Sequence, residues 1–161
     1  MAAPHAYWLG NKTLSSAIML IEPSHTEFRR VLSAMRNTTA DDFDMDLVND
    51  LYSDEALILP NENWVVSGEF RRKTHAGYLS EGATWDAERI LQNVKLVHFS
   101  DWPFPKPWFP VSDDMLEATT PACVYVPGSA KKDCKDRDAW LWLYEDFKKR
   151  RKVSFVPHRE P

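Results

Sequence analysis

Two side chains able to meet an anion or a metal lie close together in Lys95–Trp108, KLVHFSDWPFPKPW. His98 offers a neutral nitrogen ligand, and Lys106 offers a compact ammonium. Leu96, Val97 and Phe99 around the histidine favour a strand. Pro103, Pro105 and Pro107 fix φ in the loop that follows and lower the entropy lost when it orders. A strand ending in an imidazole, with an ammonium a few residues on in a stiff loop, can hold an anionic ligand or a metal–phosphate pair. Trp102, Phe104, Trp108 and Phe109 add flat apolar surface with one N–H per indole. A Pro-rich surface loop whose aromatics close a core fits the same letters, and spacing alone leaves both open.

Other groups with chemical potential are sparser. Asp44 and Asp46 lie two apart; on a helix they point about 200° apart and cannot chelate together. Cys123 and Cys134 fit either a short disulfide loop in an oxidising compartment or two thiols in the cytosol. A zinc site from Cys123, Cys134, His98 and His158 matches no common spacing. Asn11-Lys12-Thr13 and Asn37-Thr38-Thr39 fit the N-glycosylation acceptor pattern, which matters only in a luminal chain. The basic run Lys148–Lys152 suits the C-terminal end of a helix dipole better than a nucleic-acid tail.

The elements that would position these groups follow from period and capping. Met1–Asn11 has no cap and no period. Ser15–Ile21, SSAIMLI, has the length and apolarity of a buried strand. Ser24-His25-Thr26-Glu27 is a capping box opening a helix with Phe28, Val31, Leu32 and Met35 on one face and Asn37 at its stop. Asp41–Tyr52 predicts a second helix, with Phe43, Leu47, Val48 and Leu51 inward. Ala56–Leu59 and Trp64–Val66 are short strand candidates, Ser67–Tyr78 is polar loop or helix start, and Trp85–Leu91 is weakly helical before the Lys95–Phe99 strand. The chain is polar from Trp108 to Thr120, strand-like over Ala122–Val126, and a loop over Gly128–Asp133. Asp136–Lys152 predicts a strong helix with Trp140, Leu143, Tyr144 and Phe147 on one face, widened by Leu141 and Trp142. Strands interleaved with helices argue for an α/β class, with neither repeats nor a linker.

Composition sets the outer bounds. The chain has 161 residues, 43% apolar and 12% aromatic, enough for one globular domain or part of one. A net charge of -4 gives no electrostatic case for nucleic acid or anionic lipid. Neither a secretory apolar segment nor a membrane-length run occurs in it.

In three segments the chain resembles glycosyltransferase family 8, the glycogenin-like retaining transferases, and within it the fungal enzymes described as glucose N-acetyltransferases. Leu14–Ile21 aligns with a family strand that precedes a Pro-Ser helix start. Asp44–Tyr52, DMDLVNDLY, aligns with the family's Asp-Gln-x-x-Leu-Asn segment. His98–Trp108 aligns with the signature His-aromatic-x-Gly-x-x-Lys-Pro-Trp. The resemblance implies the C-terminal half of a nucleotide-diphospho-sugar transferase domain, Rossmann-like and of the GT-A type, covering 1–161. It also implies a Mn2+-dependent, configuration-retaining transfer from a UDP-sugar, UDP-GlcNAc or UDP-glucose, to a glycan acceptor in the Golgi lumen. By the same resemblance His98 is a manganese ligand, Lys106 meets the nucleotide phosphates, Asp44 lies by the donor sugar, Ser15 by the acceptor, and Asn49 is structural.

Three departures qualify that carry-over. Met45 replaces the motif's Gln, and Asp101 stands at the signature's Gly with a loop two residues longer. The family's Asp-x-Asp metal motif and first nucleotide-binding strands have no counterpart in this sequence. A half-domain of this kind is expected to be inactive alone. The alternative is a non-catalytic carbohydrate- or protein-binding module built on the aromatic loop 102–109.

Overall fold

The computed structural model describes residues 1–9 and 12–154, with side chains described through Arg151. The residues group into two compact units: Met1–Asn61 with Ala76–Ser80, and Glu62–His75 with the chain from Glu81 on.

In the first unit, β1 (Ala2–Ala3) pairs in parallel with β2 (Leu57–Ile58), Ala2 opposite Leu57. Leu57 N–H donates to the Met1 carbonyl and Leu59 N–H to the Ala3 carbonyl. The start of the chain, which has no sequence period, is among the most buried parts of the unit: Ala3, Pro4, Ala6 and Tyr7 are all inside. Small residues and a proline can pack a backbone closely without any period to betray it. Tyr7 meets Tyr78 edge-on at 5.1 Å, and the neighbouring Gly77 is obligatory, because a Cβ there would lie 2.6 Å from the Tyr7 carbonyl oxygen.

The strand expected over Ser15–Ile21 does not form. Only single bridges hold the segment, Leu14 to His5 and Leu20 to Ala2. Between them the Ser15 hydroxyl accepts the Ala17 N–H at 3.2 Å, a local turn that competes with extension. Leu20 and Ile21 end up exposed.

The two helices are where capping places them. α1 (His25–Met35) starts at Ser24, whose hydroxyl accepts the Glu27 N–H. Glu27 does not complete the expected box: its carboxylate bonds the Tyr52 hydroxyl at 3.0 Å and Arg30 at 3.3 Å instead. α2 (Asp44–Tyr52) is capped by Asp46, which accepts the Phe43 N–H at 2.9 Å. Phe43, expected inside, is 73% exposed as the N-cap residue. The apolar face of α1 is open too, with Phe28 61% and Met35 52% exposed. Phe28 and Val31 line a groove of about 970 Å3 with Met19, Ile21, Val48 and Tyr52.

In the second unit, β3 (Trp64–Val66) is fully buried and pairs in parallel with β4 (Leu96–His98), Val66 opposite His98. The crossover between them holds a 3-10 turn (Ser67–Arg71) and α3 (Ala87–Asn93), capped by Asp86, which accepts the Arg89 N–H. After β4 and its loop comes α4 (Asp113–Thr119), a helix absent from the sequence expectation. It has no amphipathic period; its signal is the Ser112 cap and the acids Asp113 and Asp114 in its first turn.

β5 (Val124–Tyr125) and β6 (Lys132–Asp133) form an antiparallel hairpin, where a loop is expected at the second strand, closed by a Cys123–Cys134 disulfide. α5 (Lys135–Ser154) packs on the 3-10 turn and α3, and buries Trp140, Leu143 and Tyr144. Trp142, expected to widen that face, is 48% exposed and lies off it.

Candidate functional site

Two parallel strands end side by side at Val66 and His98. Ligands of parallel α/β sheets collect at such carboxyl ends, because the loops there converge. Ser67 leaves β3, and Phe99, Ser100 and Asp101 leave β4.

A buried polar hub ties these loops together. Asp101, 3% exposed, accepts hydrogen bonds from the Ser67 hydroxyl and, at 2.8 Å, the Tyr144 hydroxyl. The guanidinium of Arg71 stands 3.5 Å from its other oxygen. Ser67 Oγ also accepts the Ser100 N–H at 3.0 Å. A buried carboxylate needs such company: one cation and two hydroxyls offset its lost hydration. Tyr144 titrates well above an ordinary tyrosine, first because it is buried, then because the Asp101 charge and hydrogen bond hold its proton. Gly68 lies against the same hub; a Cβ there would come within 3.3 Å of the Ser100 carbonyl.

A second buried carboxylate steadies the 3-10 turn. Glu69, 1% exposed, bonds His75 Nδ1 at 2.9 Å and pairs with Arg72 at 3.3 Å. The His75 ring stacks on Trp85, with centroids 3.9 Å apart and planes 10° off parallel. Trp85 in turn donates its indole N–H to Asp136 of α5 at 2.6 Å. Asp101 is hydrogen-bonded within the protein, whereas Glu69 is bonded at one oxygen and has only the Arg72 ion pair at the other; both tie loop residues together.

The loop after β4 is stapled at several points. Phe104 is buried against Trp140 and Tyr144, with ring centroids 5.1 and 5.0 Å away. Phe104 N–H donates to the Asp101 carbonyl, Phe109 N–H to the Lys106 carbonyl, and Arg151 to the Trp108 carbonyl. Lys106 curls back so that its ammonium donates to the carbonyl of Phe99, the residue after His98. The loop therefore brings this ammonium back to the end of β4. One acceptor leaves a lysine with two further N–H donors. Trp102, by contrast, is 89% exposed, and Trp108 and Phe109 are about half exposed.

The two other residues singled out by the sequence lie in the first unit. Ser15 is buried and its hydroxyl serves the local turn. Asp44 is exposed at the first position of α2, its carboxylate accepting the Met45 N–H. Asn49 joins their two segments: its amide accepts from Leu14 N–H, donates to Leu14 carbonyl at 2.9 Å and donates to Met45 carbonyl at 2.7 Å. Ser15 and Asp44 are each one residue from a group that Asn49 holds.

The residues do not make a metal centre by themselves. Among the described residues no three His, Cys, Asp or Glu side chains come together as a ligand set, so His98 belongs to no such group there. The zinc alternative fails because both cysteine sulfurs are joined to each other; its fourth member, His158, lies outside the described residues.

Asp101, Ser67, Tyr144 and the Glu69–His75 pair escaped the sequence reading. Asp101 showed only as a departure from glycine. The one available signal was a lone acid amid aromatics, which has to find partners if it is buried.

No family model matches the chain, and no solved structure matches it. The chain is similar to curated fungal proteins called glucose N-acetyltransferase 1. It is 40% identical to the Aspergillus fumigatus protein over 95% of this chain, and 44% identical to the Gibberella zeae protein over 91%. The Candida albicans protein is 25% identical over 91% of the chain. The match spans 44%, 33% and 41% of those proteins' own lengths, less than half of each.

Proposed function

We propose that this chain is part of a sugar-transferring enzyme of the nucleotide-diphospho-sugar transferase type. It would form the half of a GT-A-like domain that carries the phosphate-facing loop. The observation that carries this reading is the stapled loop at the end of β4, which returns the Lys106 ammonium to the residue beside His98. Its fungal relatives, named for glucose N-acetyltransferase, supply the substrate class: a sugar donor and a sugar acceptor.

In this reading Lys106 balances charge on a leaving diphosphate, and the Asp101 hub fixes the loop that aims it. Rigid placement is the main service a protein can render to such a displacement, since the leaving group carries most of the chemistry. Asp44 and Ser15 belong to the donor-sugar and acceptor sides. Manganese would need ligands besides His98, so no step is assigned to it here. The UDP-GlcNAc or UDP-glucose donor, retention of configuration and a Golgi-lumen setting belong to the same proposal. The Cys123–Cys134 disulfide supports an oxidising compartment.

The test is binding and turnover with the same variants. We expect UDP to bind weakly to the isolated chain and to lose that binding in Lys106→Ala, with no hydrolysis of UDP-GlcNAc. Robust hydrolysis by the chain alone, indifferent to His98→Ala, would overturn the reading. The near-bare Trp102 indole favours a second reading, a glycan-binding module. Glycan binding unchanged in Lys106→Ala and abolished in Trp102→Ala would establish that one instead.

A further inference from the structure

We propose that Asn37 is an N-glycosylation acceptor. Three observations meet there, and none depends on Lys106 or His98.

The first is chemical. Asn37-Thr38-Thr39 has the hydroxyl residue two places after the asparagine, and no proline between. The second is its place in the fold. Asn37 sits in the turn just after α1, and Arg36 to Ala40 are all exposed. Asn37 N–H donates to the Ala34 carbonyl, which fixes the backbone of the turn, and the residue itself is exposed. Thr38 and Thr39 are both engaged locally: Thr38 Oγ1 donates to the Met35 carbonyl, and Thr39 donates to Asp42. The side-chain bonds of the turn belong to Thr38, Thr39 and Asp42, so modifying the Asn37 side chain breaks none of them.

The third observation concerns compartment. In the β5–β6 hairpin Val124 lies opposite Asp133, so the register sets Cys123 opposite Cys134, with Cα atoms 4.4 Å apart. Directly opposed cysteines at that spacing are oxidised readily where oxidant is present, and such pairs persist in secretory compartments. Asparagine-linked glycans are added in the same compartments. The hairpin and the turn belong to separate compact units, so the two signals are independent.

The reaction is a substitution at the anomeric carbon of a lipid-linked oligosaccharide diphosphate. The Asn37 amide nitrogen forms the new N–C bond. The C–O bond to the diphosphate breaks, the diphosphate keeps that electron pair, and one amide proton is released to a base. The product carries a hydrophilic polymer two residues from Met35, an apolar side chain otherwise open to water.

The experiment is cell-free synthesis of the whole chain, behind a cleavable secretory signal, with endoplasmic-reticulum microsomes. The readout is gel mobility of the denatured chain, so a variant of reduced stability can still be read. We expect one endoglycosidase-sensitive shift in gel mobility. It should be lost in Asn37→Gln and in Thr39→Ala, and kept in Thr39→Ser and Asn11→Gln. Asn11, in the other acceptor triplet, lies outside the described residues. A shift that survives Asn37→Gln and vanishes in Asn11→Gln overturns the proposal. So does an unshifted chain that is nonetheless protected inside the microsomes with Cys123 and Cys134 oxidised.

Discussion

Asp101 shows how much one buried side chain can decide. Its partners Ser67 and Tyr144 are 34 and 43 residues away in sequence, and they join β3, the loop after β4 and α5 at one carboxylate. No local pattern could announce such a contact, whereas His98 and Lys106 stand out by residue type alone. Tyr144→Phe should cost about 1–3 kcal/mol, because it strips a donor from a buried charge. Its pH dependence has a definite sign. The Tyr144 pKa is raised in the folded chain, so its contribution is complete below the ordinary tyrosine value near 10 and is lost as pH climbs beyond it. Urea unfolding at about pH 8 and about pH 11 should therefore show a steeper alkaline loss in the parent than in Tyr144→Phe. Equal losses would mean that the hydroxyl does not bear on stability. Asp42 has the opposite sign. The Thr39 backbone N–H holds its carboxyl below the usual range, so the turn it ties is secure above that range and loosens as pH falls through the depressed value.

At the scale of elements, helices with caps or a clear period were legible: α1 from Ser24, α5 from its aromatic face. α4 has only a cap, and β6 is two exposed residues, Lys132 and Asp133, without alternation. The apolar run Ser15–Ile21 misleads because apolarity alone does not supply a pairing partner. Asn49 does that duty with a side chain, bonding both backbone groups of Leu14. Asn49→Ala should destabilise the first unit by about 1–3 kcal/mol and expose the Leu14 amide to hydrogen exchange. In the loop after β4, Phe104→Ala should cost about 3–5 kcal/mol, since the ring fills the space against Trp140 and Tyr144. Thermal melts read that directly, and a cost under about 1 kcal/mol would mean the staple lies elsewhere. For the hairpin, a disulfide over a separation of 11 residues contributes about 3 kcal/mol in the chain-entropy picture. Reduction should therefore speed exchange at Val126 N–H, which donates to the Lys131 carbonyl, more than at any amide of β3.

For the molecule as a whole, the most telling feature is apolar surface left open in the first unit. Phe28, Leu32, Met35, Leu57 and Ile58 are each at least two-fifths exposed, and Phe28 also lines a groove of about 970 Å3. Phe28, Val31, Leu32 and Met35, one face by their spacing in sequence, lie on a helix with no buried residue. An apolar dye should bind this surface in the folded chain, and Phe28→Asp should lower that binding while leaving helix content intact. Unchanged dye fluorescence in the variant would place the sticky surface elsewhere.

The parallel pairings carry a consequence for how the polypeptide is made. Ala2 must wait for Leu57, and Trp64 for Leu96. During vectorial synthesis β1 leaves the ribosome long before its mate exists, and α1, 11 residues long, is marginal until α2 has followed it out. The sheet of the first unit can therefore close only once Leu57 has emerged, more than fifty residues after Ala2.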